Sequence, residues 1–238
     1  MECLGGRVET FYAENKDILL KCKLEIDDPN EVFHAFASLR IKTGDTVEII
    51  NGKGVRFRSE VVECSKKRLL VKPLEMIENV SDYEDIKLTV AVSLLNKNSK
   101  MKLLIEKLTE IGISEFIPFI SDRTAFPKMK TDSLKPNMVS ALKQCGGSTD
   151  VVLSKTLTFK ELSELGGFDE KYFADFGGES APCGIKRGNV LAVIGPEGGL
   201  TENETAELSE NGFKKIKLNK RILRAETAAI VTASKFLS

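Results

Sequence analysis

Two segments of this chain have the residue types and spacing to do chemistry. In the first, the apolar run Val190–Ile194 feeds directly into Gly195, Pro196, Glu197, Gly198 and Gly199. Thr201 with Glu204 three residues on then marks a helix start, threonine bonding the later N–H and glutamate reaching back. Glycines in such a turn let a ligand approach the backbone and meet its amide groups. Loops at the carboxyl ends of parallel strands are where open α/β sheets bind ligands. The turn matches neither G-x-G-x-x-G nor a P-loop, so it carries no dinucleotide or ATP fingerprint. The second segment, Leu218 to Ala229, passes from a strand end through basic Lys220 and Arg221 to Arg224 and Glu226, at the start of a helix of small residues. The plain alternatives are a tight strand–helix connection for the first segment and an Arg224–Glu226 ion pair for the second.

The surrounding pattern says what positions these segments. From residue 75 on, strands and helices alternate: strands at Ile86–Ser93, Glu115–Ile120, Glu170–Phe176, Val190–Ile194 and Phe213–Leu218, helices at Ser99–Ile111, Asp132–Gln144, Thr201–Glu210 and Glu226–Leu237. Repeated β-α alternation implies a largely parallel sheet covered by helices, an α/β domain over 75–238. Residues 1–74 read differently. Strands at Arg7–Ala13, Ile18–Leu24, Thr46–Ile50, Val55–Cys64 and Arg68–Leu74 surround one helix from the Asp28-Pro29 start to Leu39, which suggests a small β-barrel. The composition turns acidic across Pro73–Asp85, and there the domains should divide.

Composition bounds the function. The 238 residues, 42% hydrophobic and 29% charged, can bury a core. No apolar run approaches a membrane span, and no secretory signal core opens the chain. Five widely spaced cysteines without a C-x-x-C, and a single histidine, argue for a reducing cytoplasmic setting and against a zinc site or multi-histidine metal centre; metal: none. Net charge is zero, but it is segregated. Arg40 to Lys72 holds nine basic residues against four acids, and Lys214 to Arg224 six bases without an acid. Such segregation can build a basic face for phosphate backbones, though a solvated mix of surface charges is the plainer reading.

Read together, Ile194–Leu200 and Arg221–Ala229 closely resemble the "IGPEGG" and "R-I-L-R-x-E-T-A" signatures of the ribosomal small-subunit RNA methyltransferase E family, the uracil-N3 methyltransferases of the SPOUT class. The resemblance extends along the chain. His34 to Arg40 is similar to the family's H-x-x-x-V-L-R, with Ser38 for valine. Lys100-Met101-Lys102 and Glu106 to Gly112 resemble its K-M-[ED]…Q-K-x-x-E-L-G helix, and Pro118 with Ser121-Asp122-Arg123 its P…S-E-R strand end. Other departures are larger or lie nearer the two signatures. Lys143 to Val151 lacks the arginine and proline of the family's E-Q-x-x-R-x-x-V-P, Asn219 replaces a glycine, and Glu106 replaces a glutamine.

The resemblance implies a PUA-like RNA-binding barrel followed by an α/β domain whose end is threaded into a trefoil knot, working as a homodimer. It implies S-adenosylmethionine held by three loops, with Phe176 and Gly177, Ile194, Gly195, Pro196, Glu197, Gly198 and Gly199, and Leu218, Asn219, Ile222, Leu223 and Thr227 as contacts. The reaction would be methylation of N3 of a uridine in 16S ribosomal RNA, free or in the small subunit. Uracil N3 must lose its proton, so a cation near O2 or O4 would ease attack; Arg224 takes that role, with Glu226 and Glu197 as the nearby acids. Phosphate contacts fall to Arg40, Lys53, Arg56, Arg58, Lys97, Lys100 and Arg123, with RNA contact a second reading for His34 behind simple packing. The competing readings are a non-catalytic RNA-binding or assembly protein, a methyltransferase of another RNA target, and an enzyme using the glycine turn for a phosphate.

Overall fold

The computed structural model describes residues 8–14, 16–79 and 85–238. The chain divides into two compact units, Met1–Asp82 with Leu142–Asp150, and Tyr83–Ala141 with Val151–Ser238. This differs from a cut after residue 74 in two ways: the last strand of the first unit runs on to Asn79, and a later segment returns to that unit. Arg7, Cys3 and residues 80–84 of the acidic stretch lie outside the described residues.

In the first unit, β1 (Thr10–Tyr12), β2 (Leu24–Ile26), β3 (Thr46–Ile50), β4 (Val55–Cys64) and β5 (Leu69–Asn79) form one sheet in the order β1-β3-β4-β5-β2. The expected barrel is therefore a curled sheet with β1 and β2 at its two ends. The expected strand Ile18–Leu24 is also corrected. Lys21 has a φ of +63° and Cys22 N–H turns back to the Leu19 carbonyl, while Leu19 and Leu20 stay exposed, so the run cannot extend and only Leu24–Ile26 pairs. Phe11, Ile26, Val47, Ile49, Val61 and Val71 fill the core with Val32 and Ala35 from the helix. That helix begins as α1 (Pro29–Phe33), where the Asp28 carboxylate accepts from the Asn30 and Glu31 N–H groups, and continues as a π-helical turn, His34–Ser38.

The segment in which the family's arginine and proline are missing is part of this unit. Lys143 Nζ sits 2.6 Å from Glu31 Oε1, Gly54 N–H donates to the Ser148 carbonyl (2.8 Å), and Asp150 N–H donates to the Gly52 carbonyl (2.8 Å). The Tyr12 hydroxyl donates to the Asp150 carboxylate. Residues Leu142–Asp150 thus brace the Asn51–Gly54 turn.

The second unit holds β6 (Ile86–Ser93), α2 (Asn98–Ile111), β7 (Glu115–Ile120), α3 (Lys135–Cys145, shared with the first unit), β8 (Val152–Leu153), β9 (Leu157–Thr158), α4 (Phe159–Ser163), β10 (Glu170–Ser180), β11 (Gly188–Ile194), α5 (Glu202–Glu210), β12 (Lys214–Lys217) and α6 (Ala225–Phe236). Its strands run β12-β10-β11-β6-β7-β8, with β9 on β7, and every pair is parallel. Both faces are covered, as a parallel sheet requires. Leu88, Val90, Val92, Val190, Ala192 and Ile194 face the helices α2 and α6, while the alternating Ala91, Leu191 and Val193 face α4 and α5. Gly184 and Ile185 donate their N–H groups to the Lys235 and Phe236 carbonyls, tying the stretch before β11 to the end of α6. Among the described residues, no helix is long and apolar enough to cross a membrane.

Candidate active site

Because all these strands are parallel, the loops leaving β6, β7, β10, β11 and β12 emerge along one edge of the sheet. The glycine turn follows β11 at the sheet's centre. Ile194, Gly195 and Pro196 are buried while Glu197, Gly198 and Gly199 are exposed, and Gly199 N–H closes the turn on the Pro196 carbonyl (2.9 Å).

Neighbouring loops hold this turn in place. Asn96 N–H and Lys100 Nζ both donate to Glu197 Oε1, at 3.2 and 2.8 Å. Burial alone would push the Glu197 carboxyl up, but the Lys100 hydrogen bond and charge and the backbone N–H groups outweigh it and hold it below the usual carboxylate range. On the other side, Arg123 donates to the Gly198 carbonyl (2.8 Å). Thr201 and Glu204 form the capping box anticipated from their spacing. Buried Glu204 also accepts from Asp122 N–H (2.9 Å), which joins the β7 loop to the start of α5. Ser93 Oγ lies 2.8 Å from Thr124 Oγ1 and 3.1 Å from Ser121 Oγ, closing the base of the same loop.

The loop within β10 is extruded. Ala174 and Glu179 both pair with Ile216, so Asp175 to Gly178 bulge out of the strand at the sheet edge. Gly178 permits this: a Cβ there would stand 2.6 Å from the Ile216 backbone nitrogen. Phe176 is left half exposed with the Lys217 ammonium 4.3 Å above its ring, and Gly177 N–H donates to Asp175 Oδ1 (2.7 Å).

The third loop, after β12, combines half-buried Leu218 and Leu223 with exposed Asn219, Ile222, Arg224 and Thr227; Ile222 is 83% exposed. Among the described residues only Lys21 and Arg40 have a positive φ outside glycine, so Asn219 needs no glycine freedom. Arg224 caps α6 through its backbone, and its guanidinium has no partner among the described residues. Glu226, in the first turn, is only 8% exposed, and its Oε2 has no hydrogen-bond partner among the described residues. The Arg224–Glu226 ion pair is not formed. A buried, unpartnered carboxylate oxygen costs stability unless a donor meets it.

The remaining cations divide. Arg56 is not available for phosphate: its side chain is 11% exposed, paired with Glu48 at 2.7 Å and bonded to the Gly147 carbonyl. Arg58 is exposed but paired with Glu75 (2.9 Å). His34, Arg40 and Lys53 are exposed in the first unit, Arg40 ending the helix in the left-handed conformation. In the second unit Lys97 is exposed, whereas Lys100 and Arg123 are engaged with the glycine turn. The ties through Glu204 and Asn96 escaped the sequence reading, since each joins residues about 80 to 100 positions apart.

With this geometry in view, comparison with known proteins is decisive. Residues 82–237 match the RNA methyltransferase domain family, and residues 26–74 match the RNA methyltransferase PUA domain. The chain belongs to the ribosomal small-subunit RNA methyltransferase E family. It is 27% identical over 229 residues to the Ribosomal RNA small subunit methyltransferase E of Rickettsia conorii, covering 94% of this chain and 90% of that one. With the namesake enzyme of Bacillus subtilis it shares 29% over 221 residues, 86% of each chain. A crystal structure of the Neisseria gonorrhoeae methyltransferase E bound to S-adenosyl methionine superposes with a TM-score of 0.83 at 23% identity, covering 95% of both chains. The PUA-like curled sheet and parallel α/β domain are thus the architecture of an RNA methyltransferase.

Proposed function

We propose that this protein transfers a methyl group from S-adenosylmethionine to N3 of a uridine in 16S ribosomal RNA, acting in the cytoplasm as a homodimer. The observation that carries the reading is the meeting of the β10, β11 and β12 loops along one sheet edge, followed by the unpartnered Glu226 oxygen at the start of α6.

The residues present fit the cofactor. Exposed Gly198 and Gly199 offer backbone without side chains, and a Cβ at Gly199 would meet nothing within 4 Å. Leu218, Ile222 and Leu223 supply apolar surface for an adenine ring, and Glu226 Oε2 supplies an acceptor for an amino group or the attraction for a cation. When bound, S-adenosylmethionine supplies the electrophilic methyl group.

The chain's own task is then to make uracil N3 a nucleophile. Arg224, exposed and unpaired among the described residues, can set its charge against O2 or O4 and stabilise the anion left when N3 gives up its proton. Glu226 is the better placed acid to accept that proton or orient Arg224. Glu197 is spent on Lys100 and Asn96 and is held ionised, which makes it a weak base and a tether for the turn. N3 is engaged in a duplex, so the uridine must arrive unpaired or flipped out.

Calorimetric titration of the purified protein with S-adenosylmethionine, ATP and NAD tests the reading. Binding of the methyl donor alone is expected. Binding of ATP in its place would favour a phosphate-handling glycine turn, and binding of none would favour an RNA-binding protein without turnover.

A further inference from the structure

Beside the glycine turn lies an open cleft of about 550 Å³, formed between the start of α2 and the loop that follows β7. Its walls include Asn96, Asn98, Phe126, Lys128 and Lys130, and no acid lines it. Phe126 presents a ring 57% exposed to solvent. The Lys128 and Lys130 side chains have no hydrogen-bond or ion-pair partner among the described residues. Asn96, one of the lining residues, has a buried Oδ1 with no partner among the described residues, an acceptor lacking its donor. The loop itself is anchored at its base by the Ser93–Ser121–Thr124 hydroxyl cluster and by Arg123 on Gly198. Asn96 belongs to both places, since its N–H donates to Glu197 in the glycine turn.

An exposed aromatic ring, two unpaired cations, an unpartnered carboxamide acceptor and no carboxylate are what a nucleotide asks for: a π-face for the base, cations for its phosphate, an acceptor for a ring or exocyclic N–H. We propose that this cleft is a subsite for an RNA nucleotide flanking the target uridine, with its base stacked on Phe126, its N–H edge on Asn96 Oδ1 and its phosphate on Lys128 and Lys130. The proposal rests on the RNA methyltransferase reading and adds where the substrate strand is gripped next to the cofactor loops. A single-stranded or splayed segment is required, because a stacked duplex hides the base face.

The test uses the full chain with small ribosomal subunits isolated from a strain lacking the enzyme, and a labelled single-stranded RNA for direct binding. Phe126→Ala is expected to raise both KM for subunits and Kd for the RNA about tenfold, with the S-adenosylmethionine Kd unchanged. Phe126→Trp should restore both, and Phe126→Leu should not, which separates stacking from apolar filling. Lys128→Ala and Lys130→Ala should each lower the salt slope of RNA binding by about 0.7. Methylation by the wild type with Phe126→Ala unchanged in KM and Kd would overturn the subsite and leave the activity standing. RNA binding that depends on Phe126 without any methylation would keep the subsite and remove the activity. No RNA binding by the wild type would overturn both.

Discussion

The ammonium of Lys100 and the carboxylate of Glu197 stand 2.8 Å apart across 97 residues of sequence, fastening the first turn of α2 to the glycine turn after β11. The two acids that the sequence alone leaves equal differ in their surroundings. Glu197 has its partners, whereas Glu226 has an oxygen without one among the described residues.

Exchange of the two acids for glutamine separates their roles. Glu226→Gln should lower kcat on the order of a hundredfold, the range for loss of a general base or its positioning partner. Glu197→Gln should keep kcat within about tenfold and weaken cofactor binding through a looser turn. Single-turnover kinetics with matched cofactor titrations measures both, and the opposite order would return Glu197 to the chemistry.

The same pair sets an acid limit. The folded-state pKa of Glu197 is depressed, so its contribution to stability is complete above the ordinary value of 4.5 and is lost as pH falls through the lower folded value. Denaturant unfolding of wild type and Glu197→Gln should differ by a constant amount, ~1 kcal/mol or less, above about pH 5. That gap should shrink as pH falls from there and close once pH is below the depressed folded value.

Arg224→Ala should leave the S-adenosylmethionine Kd within about twofold and reduce kcat by about a hundredfold or more, as expected for a group stabilising charge only in the transition state. Wild-type rates would remove Arg224 from the mechanism.

Gly198 distinguishes ligand approach from protein packing. A Cβ there would touch Arg123 only at 3.5 Å, an ordinary contact, so the fold has room for a small side chain. Gly198→Ala should therefore melt within about 2 °C of wild type, yet lose most of its cofactor affinity. Gly198→Val should abolish binding. Equal affinity in all three would show that the cofactor does not approach this backbone.

In the first unit, Gly52 combines a φ of +75° with a Cβ position 2.0 Å from Asp150 Oδ2. Gly52→Ala should cost about 1–3 kcal/mol by displacing Asp150 from Tyr12 and Gly52. Tyr12→Phe, leaving a half-buried carboxyl without its donor, should cost about 1–2 kcal/mol. Urea unfolding reads both.

Much of this was legible in the sequence because local pattern and tertiary role coincide. β3, β4, β6 and β7 have the bounds read for them, β6 as a buried-type strand, since each is a run of five or more residues rich in β-branched or apolar side chains. The two-residue strands β8 and β9 and the short α4 carry too few residues for any period. Ile18 to Leu24 looked like a strand by composition, but a positive φ at Lys21 overrides it. At the site, Gly195 to Gly199 stood out because a buried strand ends in a turn there. That Arg123 is a brace could not be read locally, since its partner lies 75 residues away; Arg56 has one near partner, Glu48, 8 residues back across the hairpin, and one far partner, the Gly147 carbonyl, 91 residues on.

The central claim is tested most directly by incubating the purified protein and S-adenosylmethionine with small subunits from a strain lacking it, then analysing the ribosomal RNA nucleosides by mass spectrometry. The account requires 3-methyluridine at one site, approaching one per subunit over many turnovers. A methyl group on ribose or on another base, or none while the cofactor binds, would contradict it.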